Sequence, residues 1–235
     1  MSTTVADHLW VGGMPKQLPP SRIYFTRRKL QYAFETAGVQ PGAKILEIGC
    51  TVGNYTFPIQ KLGYDVTGFD IDEEAIGIAR TYAREQGLEH IRFELGNAQQ
   101  MSQLADESFD HVFSFQAFRY FSDLGAALRE VHRVLRPGGV SVIDYPNRYS
   151  PFYSIYKRVK GHRYDFADYN YLSGADAEDH YRRAGFKEVS SELMLFSPPT
   201  TPTPLLPIMK GIDAVLESIP GVSSLAGFLM VRGEK

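Results

Sequence analysis

The chain has 235 residues, 43% hydrophobic and 22% charged, with a formal net charge of −2, the balance of a globular protein with a sizeable core rather than of a disordered one. Its densest basic run is Arg27-Arg28-Lys29, too little to neutralise phosphates, so no nucleic-acid partner is expected. One cysteine excludes an internal disulfide and a cysteine zinc site, and no metal is expected; with no signal peptide and no apolar run near the roughly 20 residues of a membrane span, the expected home is the cytoplasm.

In chain order, a helix around Tyr24–Phe34 comes first. Short β-branched runs then alternate with helical stretches, the pattern of βαβ units on a parallel sheet. Strands are expected at Lys44–Ile48, Asp65–Phe69, Ile91–Glu94, His111–Phe115 and Val140–Asp144. Between them, Asp72–Gln86 repeats Ala75, Ile76, Ala79 and Ala83 at helical spacing before Gly87. Ser122–Leu135 carries Leu124, Leu128, Val131 and Leu135 on one face, and Pro137-Gly138-Gly139 ends it. A helix over Gly174–Ala184 opens with Ser173 and Asp176 at capping-box spacing and stops at Gly185. The last strands are Phe186–Leu195 and Ala226–Val231, with a short apolar helix near Leu205–Leu216 between them. Two stretches break the rhythm: Tyr145–Tyr171 holds nine aromatics, and Ser197–Pro207 holds five prolines, so neither reads as a regular part of the sheet.

The segment Ile45-Leu46-Glu47-Ile48-Gly49-Cys50-Thr51-Val52-Gly53-Asn54 says most about chemistry. An apolar strand runs into two glycines and then a helix, so a ligand can approach the backbone closely and meet unpaired N–H groups. About twenty residues on, Asp70 ends the second strand, where a carboxylate can accept both hydroxyls of a ribose. A dinucleotide site needs G-x-G-x-x-G, and a phosphate loop needs a Gly-Lys-Ser/Thr ending; both are missing. An adenosine with a phosphate-free tail fits better, and a nicotinamide-dependent oxidoreductase is disfavoured. His111 starts the fourth strand, away from the ligand end of the sheet, and reads as structural, whereas Asp144 ends the fifth strand on the ligand side and is the candidate general base or catalytic residue.

The glycine segment resembles motif I of class I S-adenosylmethionine-dependent methyltransferases, where E-x-G-x-G-x-G is usual. The likeness continues through Gly68-Phe69-Asp70-Ile71-Asp72, Gly96-Asn97-Ala98 and Ser108-Phe109-Asp110-His111-Val112. It reaches Arg133-Val134-Leu135-Arg136-Pro137-Gly138-Gly139, similar to the R-x-L-x-P-G-G signature, and returns at Ala184-Gly185-Phe186. The type 11, small-molecule group is the nearest in kind. The resemblance implies an α/β fold: a Rossmann-like, doubly wound, seven-stranded sheet, mostly parallel with one antiparallel strand and helices on both faces. It also implies S-adenosylmethionine as cofactor, with S-adenosylhomocysteine as product. Glu47, Gly49, Cys50, Thr51 and Gly53 would line its methionine and ribose side, Asp70 would hold the ribose, and Ile71 would pack on the adenine. Asn97 and Ala98 would meet the adenine edge, and Phe115 and Gln116 would close the pocket. Thr51 stands where the family has its middle glycine, a costly residue should that position need positive φ.

As one methyltransferase domain over 1–235, the chain divides into an N-terminal helical cap (1–40), a cofactor-binding core (41–145), an aromatic lid (146–171) and a C-terminal part of the sheet (172–235) with an insertion at 197–218. The lid would lie over the carboxyl ends of the strands, where aromatic faces with polar tips suit a flat or lipid-like acceptor. Arg27, Tyr32, Tyr120, Tyr145, Arg148 and Tyr149 are the candidate substrate-binding residues. The fourth strand leads into Ser114-Phe115-Gln116-Ala117-Phe118, unlike the elements of adenine N-methyltransferases, and no cysteine follows it, as a C5-cytosine enzyme would need. The expected activity is methyl transfer to a small organic acceptor, a secondary metabolite, quinone or lipid-like molecule, by a monomer or homodimer. The alternative is a non-catalytic binding or regulatory subunit on the same fold.

Overall fold

A computed structural model describes residues 19–88, 90–151, 169–198, 201–219 and 221–235. Along the chain run α1 (Pro20–Ala37), β1 (Lys44–Ile48), α2 (Thr56–Lys61), β2 (Asp65–Asp70), α3 (Glu73–Glu85), β3 (Arg92–Leu95) and β4 (Phe109–Ser114). They are followed by α4 (Leu124–Val134), β5 (Leu135–Pro146), α5 (Gly174–Arg183), β6 (Lys187–Met194), α6 (Leu206–Ser218) and β7 (Phe228–Glu234). Start signals written in the sequence act as expected. Asp72 and Asp123 accept from the backbone N–H of Ala75 and Ala126 to open α3 and α4, and Ser173 and Asp176 close a capping box on α5.

The seven strands form one sheet in the order β3-β2-β1-β4-β5-β7-β6. β1 to β5 pair in parallel, and β7 runs antiparallel to both β5 and β6, so it alone points the other way. Apolar side chains fill both faces. Ile45, Phe113, Val142 and Met230 pack under α1 and α3, while Leu46, Ile48, Val112, Ile143 and Val231 pack under α4 and α5. Burial on both faces is why these strands read as continuous apolar runs rather than as alternating ones.

One boundary differs from expectation. Pro137-Gly138-Gly139 does not separate α4 from a strand starting at Val140, because β5 already begins at Leu135. Leu135 pairs with Phe109 and Val140 with His111, so the Pro-Gly-Gly stretch is an irregularity inside the strand, held by bonds between Gly138, Gly139 and the backbone of Lys235. Five of the nine aromatics in the lid stretch (Phe152, Tyr153, Tyr156, Tyr164 and Phe166) lie outside the described residues, as do Arg158, His162 and Arg163.

Candidate functional site

The strand order reverses direction between β1 and β4, and in an open α/β sheet the carboxyl ends at that point leave a crevice. A cleft of about 530 Å³ lies there. Its walls are the four turns that leave β1 to β4: Gly49, Thr51, Asn54 and Tyr55 after β1; Asp70 and Ile71 after β2; Gly96, Asn97, Ala98 and Gln99 after β3; and Phe115, Gln116 and Ala117 after β4. Tyr120, Phe121 and Ser122 close one side, and Arg22 of α1 reaches in from the other.

The glycine turn is shaped by contact as well as by φ. Gly49 has φ 76°, and a Cβ there would stand 2.1 Å from that of Ala117. Gly53 has φ 89°, and a Cβ would enter the Phe57 ring at 2.5 Å. Only glycine lets the turns after β1 and β4 meet this closely. Thr51 takes φ 48°, the left-handed region the sequence flagged as costly for a β-branched residue. Two bonds hold it: its N–H donates to Asp70 Oδ2 at 2.7 Å, and Asn54 Nδ2 donates to its hydroxyl at 2.9 Å. Asp70 Oδ1 accepts from the Asp72 N–H at 3.0 Å. Each carboxylate oxygen of Asp70 thus carries one backbone bond and keeps acceptor capacity toward the cleft.

Of the eleven expected cofactor residues, Gly49, Thr51, Asp70, Ile71, Asn97, Ala98, Phe115 and Gln116 stand on this wall. Asn97 Oδ1 already accepts from the Gln99 N–H at 2.9 Å and keeps one lone pair. Glu47, Cys50 and Gly53 lie beneath the wall instead. Cys50 packs against Gly68 and Phe93, and burial pushes its thiol well up. Glu47 is 1% exposed and accepts from the Thr56 hydroxyl. Burial first, then the charge of Asp70, pushes its carboxyl up to about 8 against the bonds from Thr56 and Tyr55. The strand's alternation explains this: Ile48 is on the cleft lining, so its neighbour Glu47 points to the opposite face of β1, toward Thr56.

Among the expected substrate residues, Tyr120 lines the cleft, and the other five do not. Arg27 is exposed on α1, five residues beyond the cleft-lining Arg22. Tyr32 lies beside Glu192 and Arg232, where burial holds its hydroxyl protonated to high pH. Tyr145 is buried with Phe118 and Tyr181. Arg148 pairs with Asp176 at 2.8 Å, and Tyr149 is exposed away from the cleft. Asp144 ends on the ligand side of the sheet as expected, but it is buried and committed: Lys29 of α1 pairs with its Oδ2, and the Gln116 N–H donates to Oδ1 at 2.5 Å. Both partners of the ion pair are shut off from solvent, so Asp144 positions the Gln116 turn rather than meeting the cleft. His111 is buried in the first half of β4, off the cleft lining, and burial lowers its pKa.

Arg22, Asn54 and Tyr55 were not proposed as site residues, and Lys29 entered only as part of the basic run Arg27-Arg28-Lys29. Asn54 and Tyr55 follow the second glycine directly, a signal that was present. Nothing local marks Arg22 or Lys29, because their roles depend on how α1 folds back over strands far along the chain.

Residues 46–143 match the family model described as a methyltransferase domain. Over 133 residues the chain is 34% identical to the ubiquinone biosynthesis O-methyltransferase of Caulobacter sp. strain K31, covering 55% of this chain and 52% of that protein. Over 115 residues it is 36% identical to a sterol 24-C-methyltransferase of Gibberella zeae, covering 48% of this chain and 30% of that protein. The chain thus spans about half or less of the length of these curated relatives. Among solved structures, a SAM-dependent methyltransferase from Thermotoga maritima superposes with a TM-score of 0.62 at 22% identity, over 91% of this chain and 93% of that one, a likeness of fold.

Proposed function

Since residues 46–143 match the model of a methyltransferase domain, we propose that this chain transfers the methyl group of S-adenosylmethionine to a small organic acceptor, of the quinone, lipid-like or secondary-metabolite kind. In this reading the whole chain acts as one domain, as a monomer or homodimer in the cytoplasm, without nucleic acid or metal. The observation that carries it is the cleft at the β1/β4 switch point, with Asp70 on its wall and glycine turns drawn tight on either side.

The wall suits a phosphate-free adenosine. Asp70 presents acceptor capacity for two ribose hydroxyls, Ile71 offers an apolar face to the base, and Asn97 and Ala98 bound its edge. Arg22, the only Lys or Arg on the lining among the described residues, suits the carboxylate of an amino-acid tail better than it suits a pyrophosphate. When bound, the cofactor supplies an already activated methyl on sulfonium, so the residues here have mainly to hold two partners in line. Such alignment supplies up to roughly 7–11 kcal/mol of a barrier. Phe115 stacks on Tyr55 with centroids 4.3 Å apart, and Asp144 fixes the backbone of Gln116, which gives a rigid edge beside the cleft.

Thr51, the one departure in the glycine turn that would favour the non-catalytic alternative, is accommodated there by two hydrogen bonds. Isothermal titration calorimetry tests the proposal: S-adenosylhomocysteine should bind in the micromolar range or tighter, and NADH should give no heat. Binding of NADH without S-adenosylhomocysteine would refute it.

A further inference from the structure

The turn Phe118–Tyr120 sends its side chains in different directions. Phe118 enters the core beside Tyr145, Tyr120 reaches the cleft wall, and Arg119 turns toward β7, its guanidinium carbon 5.7 Å from the Tyr169 ring centroid and 5.8 Å from that of Phe228. Arg119 is 7% exposed, and its Nε and Nη2 are buried with no hydrogen-bond partner among the described residues. Those two nitrogens share one edge of the guanidinium, the edge that offers parallel N–H groups to a carboxylate. Two ring faces give a buried cation some support, but they leave its donors unmet, a state that costs stability.

Nearby charge does not meet the need. Lys29 Nζ lies 4.2 Å from the centroid of Phe25 and 3.7 Å from that of Phe228, and it takes Oδ2 of Asp144. The Gln116 N–H takes Oδ1. Burial chiefly, with Arg119 adding to it, brings the Lys29 ammonium down to about 8 despite the pull of Asp144. Among the described residues, both oxygens of Asp144 are therefore engaged by Lys29 and Gln116, and neither is bonded to Arg119. The Arg119 side chain is joined to the cleft wall through one intervening ring, that of Tyr169. Tyr120, 63% exposed on the wall, meets Tyr169 edge-on at 4.9 Å with the hydroxyls 3.2 Å apart, and the Tyr169 ring is the one that carries Arg119.

Resting on the function proposed above, we propose that the methyl acceptor bears an oxyanion, such as a carboxylate, which docks on the Nε and Nη2 edge of Arg119 while its apolar body lies against Tyr120 and Tyr169. The test uses phenylacetate and its neutral isostere phenylacetamide, titrated calorimetrically into the protein saturated with S-adenosylhomocysteine. Wild type should bind the acid at least tenfold more tightly than the amide. Arg119→Met should erase that ratio, leave S-adenosylhomocysteine affinity within twofold, and keep or raise Tm, because an unpaired buried charge is gone. Arg119→Lys should restore part of the ratio, and it stands in if the Met variant does not fold. A wild-type ratio near one, neither probe binding, or a ratio unchanged in the variants would overturn the proposal, as would an Arg119→Met variant that loses Tm and retains the ratio. If S-adenosylhomocysteine itself fails to bind wild type, the fault lies with the cofactor reading instead.

Discussion

Two halves of the molecule are built by different means. The β1–β4 half makes its cleft from four turns, each continuous with the strand that precedes it. The half formed by α1, α6, β5 and β7 is joined by polar contacts between distant positions: Lys29 with Asp144, Tyr24 with Asp213 at 2.9 Å, and Arg28 with Glu217 at 2.7 Å. Asp213 is fully buried, and it also accepts from the Phe196 and Ser197 N–H groups at 2.8 Å each, so it ties α6 to the end of β6. The cleft therefore owes its shape to local backbone, and its far rim owes its position to charges brought together by folding.

The sharpest way to break this contrast is Lys29→Met. It leaves Asp144 as an uncompensated buried charge and should cost about 3–5 kcal/mol in a denaturant melt. A loss under 1 kcal/mol would show that α1 is not anchored through this pair. Next comes Glu47, beneath the cleft wall. Its carboxyl ordinarily titrates near 4.5 and is raised to about 8 in the folded chain. The folded state therefore holds the proton that the unfolded state releases, and the contribution to stability falls as pH rises from 4.5 through about 8, by up to about 1.4 kcal/mol per pH unit. Glu47→Gln should flatten that part of the stability–pH curve, and parallel curves for the two proteins would contradict the assignment. Asp70→Ala, on the wall itself, should weaken S-adenosylhomocysteine binding at least tenfold, about 1.4 kcal/mol, by calorimetry. The smallest expected effect is at Thr51. Replacing it with glycine relieves a left-handed β-branched residue at the loss of the Asn54 bond, and should raise stability by about 1 kcal/mol, seen as a Tm increase of about 2–4 °C.

The same contrast explains what could be read in advance. The strands, helices α3 to α5 and most residues of the cleft wall were legible because caps, apolar periodicity and a glycine turn act over a few residues. Asp70 could be found from its distance to Gly49 because a βαβ unit fixes that spacing. Glu47 was displaced from the wall by strand alternation, which a motif match does not carry. Asp144, Arg27 and Tyr32 were misplaced relative to the cleft, and Arg22 and Lys29 overlooked, for one reason: the rotation of α1 over the sheet is decided by partners more than a hundred residues away. Arg119 gave no signal at all in the sequence, since its meaning lies in an unused edge that only packing reveals.

A crystal structure with S-adenosylhomocysteine bears most directly on the central claim. The ribose hydroxyls should meet the Asp70 carboxylate, with the base beside Ile71 and Asn97 and the sulfur directed toward Gln116. Density for the ligand outside the β1/β4 cleft, or a ribose held with Asp70 left unengaged, would contradict it.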